Sequence, residues 1–304
     1  MKYAVVIVTY NRLKLLKECL QCVDSQTHKF EKIIIVNNAS TDGTGEFLKA
    51  NYKDRKDVIL VEETHNKGGA GGFKDGVNAV PSEIDYVLLI DDDAMIDKAF
   101  VSSIDSQMED KYLAYSGTVY MDGNIDVTHR RRIASRTLMT KKDVPLEEYN
   151  GESFECDLAT FCGLMVSNDV IKKIGLPKEE YFIWYDDTEY CCRINKYSKI
   201  KNVNSAFLNH KVKASAETGL SWKSYYGYRN QIDVGRNYSN HPYVYLLYRY
   251  TYHRVRALLF WFKARNGKNN YYENCFKLHR NVVRDSKNNV MGLNENYLPG
   301  SSLH

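Results

Sequence analysis

The chain has 304 residues, 43% of them hydrophobic and 26% charged, which excludes a disordered or fibrous protein and supplies enough apolar material for a sizeable core. The 42 basic and 38 acidic residues leave a net charge of +4, too small for a chain-wide nucleic-acid binder, so no nucleic-acid partner is expected and any charged ligand must be met locally. Seven cysteines, an odd count without a repeated spacing, exclude a zinc ribbon or disulfide scaffold and read as reduced thiols.

The length suits one large domain, 1–215, followed by a mainly helical C-terminal region, 216–304. The amino end lacks the apolar core and cleavage site of a signal peptide, and no apolar stretch reaches the roughly 20 residues needed to cross a bilayer. A cytoplasmic protein without a membrane span is therefore expected.

Strand and helix signals alternate along the first 95 residues. Tyr3 to Val8 is a β-branched run, and Leu13 to Val23 carries Leu16, Cys19, Leu20 and Val23 at helical spacing, which makes the lone Cys19/Cys22 pair part of a helix. A second strand is expected at Lys32 to Asn37, a polar turn at Asn38 to Gly43 and a helix through Phe47 and Leu48. Val58 to Glu62 and Tyr86 to Ile90 read as two more buried strands. This order implies an α/β fold, a Rossmann-like, mostly parallel sheet flanked by helices, in which ligands bind at the carboxyl ends of the strands.

The residues at those ends are polar: Thr9, Tyr10 and Asn11; Asn37, Asn38, Ser40 and Asp42; Glu62 to Asn66; and Asp91, Asp92 and Asp93. Hydrophilic loops account for most of them singly. The glycine-rich Asn66-Lys67-Gly68-Gly69-Ala70-Gly71-Gly72-Phe73 precedes a helix and allows backbone amides to approach a phosphate or sugar, yet it is neither a Walker A loop nor a dinucleotide fingerprint. Three successive carboxylates after the apolar run Val87 to Ile90 repel one another and call for a counter-cation; a magnesium or manganese ion bridging to a diphosphate fits, and a solvated acidic turn is the plain alternative.

Phe161-Cys162-Gly163-Leu164-Met165 reads as a buried strand, and Trp184-Tyr185-Asp186-Asp187-Thr188-Glu189 is a second acidic segment set among aromatic residues. Desolvation there would raise proton affinity toward the range of a general base, whereas acidic residues at a helix start are also favoured by the helix dipole alone. Beyond residue 215 tyrosine and arginine accumulate. In Val244 to Phe262, Val244, Leu247, Tyr248, Thr251, Val255, Leu258, Leu259 and Phe262 share one helical face, with Arg249, His253, Arg256 and Lys263 on the other. Such a helix lies on an anionic membrane or packs on the catalytic domain or another subunit, as in a homo-oligomer. Lys263 to Asn270 reads as a polar loop, and the remainder to His304 as loosely ordered.

Taken together, VVIVTYNR at 5–12, IIIVNNASTDGT at 33–44, NKGGAGGFKDG at 66–76, LLIDDDA at 88–94 and FIWYDDTEYCCRI at 182–194 resemble glycosyltransferase family 2, with its A-type fold, and within it the galactofuranosyltransferase branch. The resemblance implies inverting transfer of a sugar from a nucleotide diphosphate donor, with galactofuranose from its UDP carrier favoured, to a hydroxyl of a surface polysaccharide or lipid-linked glycan such as an O-antigen or capsule. A rhamnosyltransferase using dTDP-rhamnose, a non-catalytic nucleotide-sugar-binding scaffold and a nucleotidyltransferase are the rivals. Lipid-linked acceptors would place the enzyme on the inner face of the cell membrane.

Carried onto this chain, the resemblance assigns Asp91, Asp93 and His210 to the divalent cation, with His210 standing 23 positions after Asp187. It assigns Asp187 as the catalytic base and Trp184, Asp186 and Glu189 to the acceptor pocket. Donor contacts fall to Thr9, Tyr10, Asn11, Arg12, Asn38, Asp42, Asn66, Gly68 and Gly69, with Asp92 facing the ribose or donor sugar. Many family members have an aspartate where this chain has Asn37 or Asn38.

Overall fold

A computed structural model describes residues 1–211, 219–266 and 270–303. Its strands are β1 (Tyr3–Thr9), β2 (Lys32–Asn37), β3 (Val58–Glu62), β4 (Tyr86–Asp91), β5 (Ala94–Ile96), β6 (Ala114–Met121), β7 (Asn124–Ile125), β8 (Arg130–Ser135), β9 (Thr140–Asp143), β10 (Ser153–Cys156), β11 (Leu158–Ala159), β12 (Leu164–Ser167) and β13 (Ile200–His210). Its helices are α1 (Leu13–Asp24), α2 (Thr44–Tyr52), α3 (Gly68–Asn78), α4 (Phe100–Asp105), α5 (Asn168–Ile174), α6 (Asp186–Ile194), α7 (Trp222–Tyr238), α8 (Pro242–Asn266) and α9 (Asn270–Lys287). They form two compact units. One comprises Met1–Arg132, Lys142–Glu179 and Asp187–Lys213; the other comprises Ile133–Lys141, Glu180–Asp186 and Ala214–His304. The expected boundary at residue 215 lies outside the described residues.

The first unit is built on a sheet of order β10-β13-β6-β12-β4-β1-β2-β3, with β5 on β13 and β7 on β6. The pairs β3–β2, β2–β1, β1–β4 and β13–β6 are parallel, and β12 runs antiparallel between β4 and β6. All seven residues of β1 are buried, and the period of two divides them between the faces. Tyr3, Val5 and Ile7 join Leu16, Cys19, Leu20 and Val23 of α1 in the main core. Val6 and Val8 meet α3 on the other side, so helices cover both faces of a central strand. β3 departs from expectation: as the last strand in the order it is only half-buried.

The glycines of α3 serve this packing. A Cβ on Gly72 would fall 2.5 Å from Val8 Cγ1, and one on Gly76 would fall 2.3 Å from Val6 Cγ1 and 3.0 Å from Val36 Cγ2. A Cβ on Gly69 meets nothing within 4 Å. Gly76→Ala is therefore expected to lower unfolding free energy by about 1–3 kcal/mol, the usual cost of overpacking a fitted core. In urea denaturation Gly69→Ala should fall well short of that loss, and an equal loss in both would refute the packing argument.

The second unit holds α7, α8 and α9 around a core of Phe182, Tyr225, Tyr226, Ile232, Leu278, Val282, Tyr297 and Leu303. Tyr297 stacks on Tyr225 with ring centroids 4.3 Å apart, so the end of the chain is packed and not loosely ordered. The helical pattern of α9 escapes hydropathy because its buried face includes His279, Asp285 and Ser286 beside Cys275, Leu278 and Val282. Lys263 and the residues up to Asn266 continue α8 where a loop is expected; 267–269 lie outside the described residues. The α8 face pattern is present but turned around. Val244, Leu247, Tyr248, Val255, Leu258, Leu259 and Phe262 are exposed, whereas Arg249 and His253 are buried.

Candidate functional site

Four strands of the first unit bring the first acidic cluster together. β1 pairs with β4 so that Val8 stands opposite Asp91, and the chain turns through Asp92 and Asp93 into β5, whose Ala94 is opposite His210 of β13. Lys211 N donates to Asp93 O at 2.8 Å and extends that pairing by one step. Asp92 and Asp93 are buried. Thr9 Oγ1, at the end of β1, donates to Asp92 Oδ2 at 2.6 Å. Arg12 spans the two carboxylates, reaching Asp92 Oδ1 at 3.4 Å and hydrogen-bonding Asp93 Oδ2.

The counter-cation demanded by three adjacent carboxylates is thus partly supplied from within. Arg12, exposed at the strand end, fills that place. The oxygens of Asp92 are engaged by Thr9 and Arg12. Burial, followed by the Asp93 and Asp92 charges, pushes Asp91 up to about 7. Burial raises Asp92 to about 6 against the pull of Thr9 and Arg12. At Asp93 burial is outweighed by His210 and Arg12, which hold it below the ordinary carboxylate range. His210 moves the opposite way, raised because Asp93, Asp91 and Asp126 outweigh its burial.

One atom of this cluster lacks a hydrogen bond. Asp93 Oδ1 is buried and 3.2 Å from His210 Nε2, yet it meets no aligned donor. Adjacent donors of an octahedral cation with bonds of ~2.1 Å are roughly 3 Å apart, so this oxygen and nitrogen fit neighbouring positions on one ion. Among the described residues no group of three or more histidine, cysteine or acidic side chains forms a ready cage. A magnesium-like ion suits such an incomplete set, since it takes its remaining ligands from water and substrate phosphates.

The expected donor residues fall into two further networks of the same unit. Asn11, with a left-handed φ of 53°, accepts from Thr41 N at 2.6 Å, while its own N–H donates to Ser40 Oγ at 3.0 Å. Asp42 accepts from Leu13 N at 2.9 Å and Thr44 Oγ1 at 2.6 Å; these bonds outweigh its desolvation and lower its proton affinity. Asn38 is buried, accepting from Lys67 N at 2.9 Å and donating to Asn66 Oδ1 at 3.1 Å and Gly68 O at 2.9 Å. Asn38 and Asn66 therefore fix the loop entering α3, where Gly68 needs its φ of 72°. Tyr10, Asn11, Arg12 and Asp42 are exposed around these loops, with Gly69 half-buried.

Asp187 belongs to the same unit but stands outside the network of the triplet. It is half-buried in the first turn of α6, where one carboxylate oxygen takes the N–H of Thr188. Cys191, one turn further on the same face, exchanges hydrogen bonds with Ala159, and Tyr190 packs edge-on to Phe161. Glu189, expected in the acceptor pocket, lies in a buried ion pair. It is fully buried and held by Arg193, Nε at 3.0 Å and Nη2 at 2.7 Å, with Lys178 at 3.5 Å.

Trp184 and Asp186 belong to the second unit, where Asp186 is buried and Trp184 is 47% exposed. Trp184 and Tyr185 both adopt left-handed backbone, with φ of 64° and 71°. Asn230 of α7, fully buried, stabilises that bend by donating to the carbonyls of Tyr181, Ile183 and Trp184 at 2.9, 3.1 and 2.8 Å. Gly227 leaves room for the indole, since a Cβ there would lie 2.8 Å from it.

Sequence reasoning missed the residues behind His210. His129 packs edge-on to it at 5.1 Å and is held by Thr160 at 2.6 Å and Asp126 at 3.4 Å. Burial, with Arg130 and His210 nearby, lowers His129 to about 3, so it is neutral. Buried Arg130 ties this layer to the carbonyls of Gly117 and Cys162 at 3.0 Å each. The expected strand at 161–165 begins only at Leu164, because Gly163 turns with φ of 87°. Residues 159–161 thereby connect both ends of the site: Ala159 and Phe161 hold α6, and Thr160 holds His129. The run Thr128-His129-Arg130-Arg131-Arg132 was the available signal.

Residues 4–174, more than half of the chain, match the family model described as Glycosyl transferase family 2. The glycosyltransferase GlyG of Streptococcus pneumoniae serotype 4 is 32% identical over 109 residues, 36% of this chain and 35% of that protein. The dTDP-rhamnosyl transferase RfbF of Shigella flexneri is 27% identical over 204 residues, 65% of this chain and 64% of that protein. The chain thus spans less than two thirds of these relatives' own length. The solved structure of GalNAc-T7 with UDP, GalNAc and Mn2+ resembles this chain with a TM-score of 0.63 at 16% identity, over 77% of this chain and 47% of that one. The expected A-type fold is thereby established, while the matches reach the family and stop short of the galactofuranosyltransferase branch.

Proposed function

The chain belongs to glycosyl transferase family 2, and from that premise we propose that it is an inverting, cation-dependent hexosyltransferase using UDP-galactofuranose. Its acceptor is a hydroxyl of a surface polysaccharide or lipid-linked glycan. The observation that carries the reading is Asp93 Oδ1, buried without a hydrogen bond and 3.2 Å from His210 Nε2 at the end of the central strands. Asp93 and His210, with Asp91 beside them, would hold a manganese or magnesium ion. When bound, that ion supplies charge neutralisation for the departing diphosphate. Thr9, Asn38 and Asn66 fix the loops that carry Tyr10, Asn11, Arg12, Asp42 and Gly69 around the donor. Asp187 accepts the proton of the acceptor hydroxyl as that oxygen attacks the anomeric carbon from the face opposite the diphosphate. Trp184 offers its exposed face to an acceptor sugar ring.

A second reading, rhamnosyl transfer from dTDP-rhamnose, is favoured by the similarity to RfbF. A panel of UDP-galactofuranose, UDP-galactopyranose and dTDP-rhamnose, scored by product mass, separates the two. We expect a hexosyl product from UDP-galactofuranose; product from dTDP-rhamnose alone would replace the first reading by the second. Nucleotide-donor hydrolysis and transfer both absent would indicate the scaffold.

We further propose that the enzyme works in the cytoplasm, on the inner face of the cell membrane, with α8 against anionic lipid. All seven cysteines are free thiols, as a reducing compartment keeps them. No helix among the described residues is long and apolar enough to cross a membrane. The exposed stripe of α8 includes Leu247 at 71% and Leu258 at 53%, and the 25-residue helix contains Arg249, Arg254, Arg256, Lys263 and Arg265 without a single carboxylate. That excess of positive charge suits an anionic surface and repels a second copy of itself. Buried Arg249 is no lipid contact; exposed Arg254, Lys263 and Arg265 take that part. The double change Leu258→Glu and Phe262→Glu should abolish co-sedimentation with anionic vesicles. Unchanged sedimentation, or a concentration-dependent dimer lost in the same variant, would overturn lipid as the occupant.

A further inference from the structure

His210 ends β13, and its ring rests against a segment that the proposed transfer chemistry leaves without a role. An imidazole swings broadly about the bond that joins it to its Cβ. A cation gains most from such a ring when the ligating nitrogen is already held in place. Asp93 Oδ1 stands 3.2 Å from His210 Nε2 and marks one end of the ring. The ring of His129 packs perpendicular to it, with centroids 5.1 Å apart and planes at 89°, an edge-to-face contact that a rotated His210 would lose.

His129 is itself held at both nitrogens. Nδ1 lies 2.6 Å from Thr160 Oγ1, and Nε2 lies 3.4 Å from Asp126 Oδ2. A lone pair on Nε2 would face that carboxylate oxygen, so the ring proton belongs on Nε2 and Nδ1 accepts from the Thr160 hydroxyl. This tautomer leaves His129 no lone pair with which to ligate a cation. Asp126 is fixed in turn: its Oδ1 takes the N–H and the hydroxyl of Thr128 at 3.0 and 2.6 Å, and its own N–H donates to Val119 O at 2.8 Å. Thr160 N donates to His129 O at 3.2 Å, and Arg130, the next residue, reaches the carbonyls of Gly117 and Cys162. The segment 126–130 is thus pinned to β6 on one side and to residues 160–162 on the other, and the ring it carries meets His210.

We propose that His129 is a positioning residue: clamped by Asp126 and Thr160, it fixes the ring of His210 with Nε2 toward Asp93, so that both ligating atoms are in place before a cation arrives. The inference rests on the reading of His210 as a cation ligand. What His129 contributes is the rotational freedom that His210 no longer has to lose on binding.

Manganese titrated into the full chain without nucleotide, with the free ion read by electron paramagnetic resonance, tests this through a double-mutant cycle. His129→Ala is expected to weaken manganese binding by about ten- to a hundredfold, the range for groups that orient a metal ligand. In a His210→Ala background, itself weaker than the parent, the same change should alter affinity by less than about twofold, because the ring it orients is gone. Equal losses with and without His210 would make His129 a general support of the fold and overturn the inference. So would parent-like binding by His129→Ala while His210→Ala binds weakly. Undiminished binding by His210→Ala would instead remove His210 from the cation site, and the inference with it. Circular dichroism checks the fold of each variant. If His129→Ala does not fold, Thr160→Val, which keeps the ring and removes the hydroxyl that holds it, decides by the same criteria.

Discussion

Asp187→Asn is expected to lower turnover by at least about a hundredfold, the lower bound for losing a general base, while donor affinity stays close to that of the parent. Asparagine keeps the size of the side chain and the oxygen that receives the N–H of Thr188, so the start of α6 should be preserved. It removes the capacity to accept a proton at neutral pH. The anchors of α6 lie one turn away, at Tyr190 and Cys191, and do not depend on the charge of Asp187. The loss should therefore appear in kcat, with KM for the donor nearly unchanged. Near-normal turnover would remove Asp187 from the mechanism. A matching fall in UDP affinity would instead mean that its charge helps to assemble the donor side.

The contrast with Glu189 shows why sequence alone ranks acidic residues poorly. Both belong to one short motif, but Glu189 is fully buried against Arg193 and Lys178, an ion pair whose partners lie four residues later and eleven residues earlier in the chain. β1 and β4 were legible as short continuous β-branched or apolar runs, buried on both faces of the sheet, and α1 by its apolar spacing of 3.6. The triplet was legible for the same reason, standing at the tip of an apolar strand. Arg12 as its counter-cation was not, since nothing in a linear reading tells whether a strand-end arginine turns toward ligand or toward carboxylates. His129 and Thr160 come from the middle of the chain, where strands of two to six residues carry too few positions for a pattern. The α8 stripe was found, but hydropathy identifies faces without saying which one the protein covers; here aromatic stacking and arginine contacts bury the polar face. The α3 glycines illustrate the same limit, since close approach to Val6 and Val8 reads in sequence exactly as close approach to a phosphate would.

Asp93→Ala is the second change with a large expected effect: a loss of at least about a hundredfold in affinity for UDP in the presence of manganese, measured by calorimetry, as removal of a direct metal ligand exceeds the losses seen for second-layer partners. Asp93 touches both Arg12 and His210, and its lowered proton affinity keeps it charged where Asp91, raised to about 7, is readily protonated. Two roles for it are possible in principle, holding Arg12 or holding a cation, and Arg12→Gln separates them. Arg12 competes with a cation for the same carboxylate, so its removal should leave manganese-dependent UDP binding equal or tighter if Asp93 is a ligand, apart from any contact Arg12 itself makes to the nucleotide. That contact is measured by the same titration without metal and subtracted. If Arg12→Gln weakens the metal-dependent part as severely as Asp93→Ala does, the carboxylate serves to position the arginine, and the cation assignment falls. Manganese titrated without nucleotide gives an independent check, because Asp93→Ala must then abolish binding that Arg12→Gln retains.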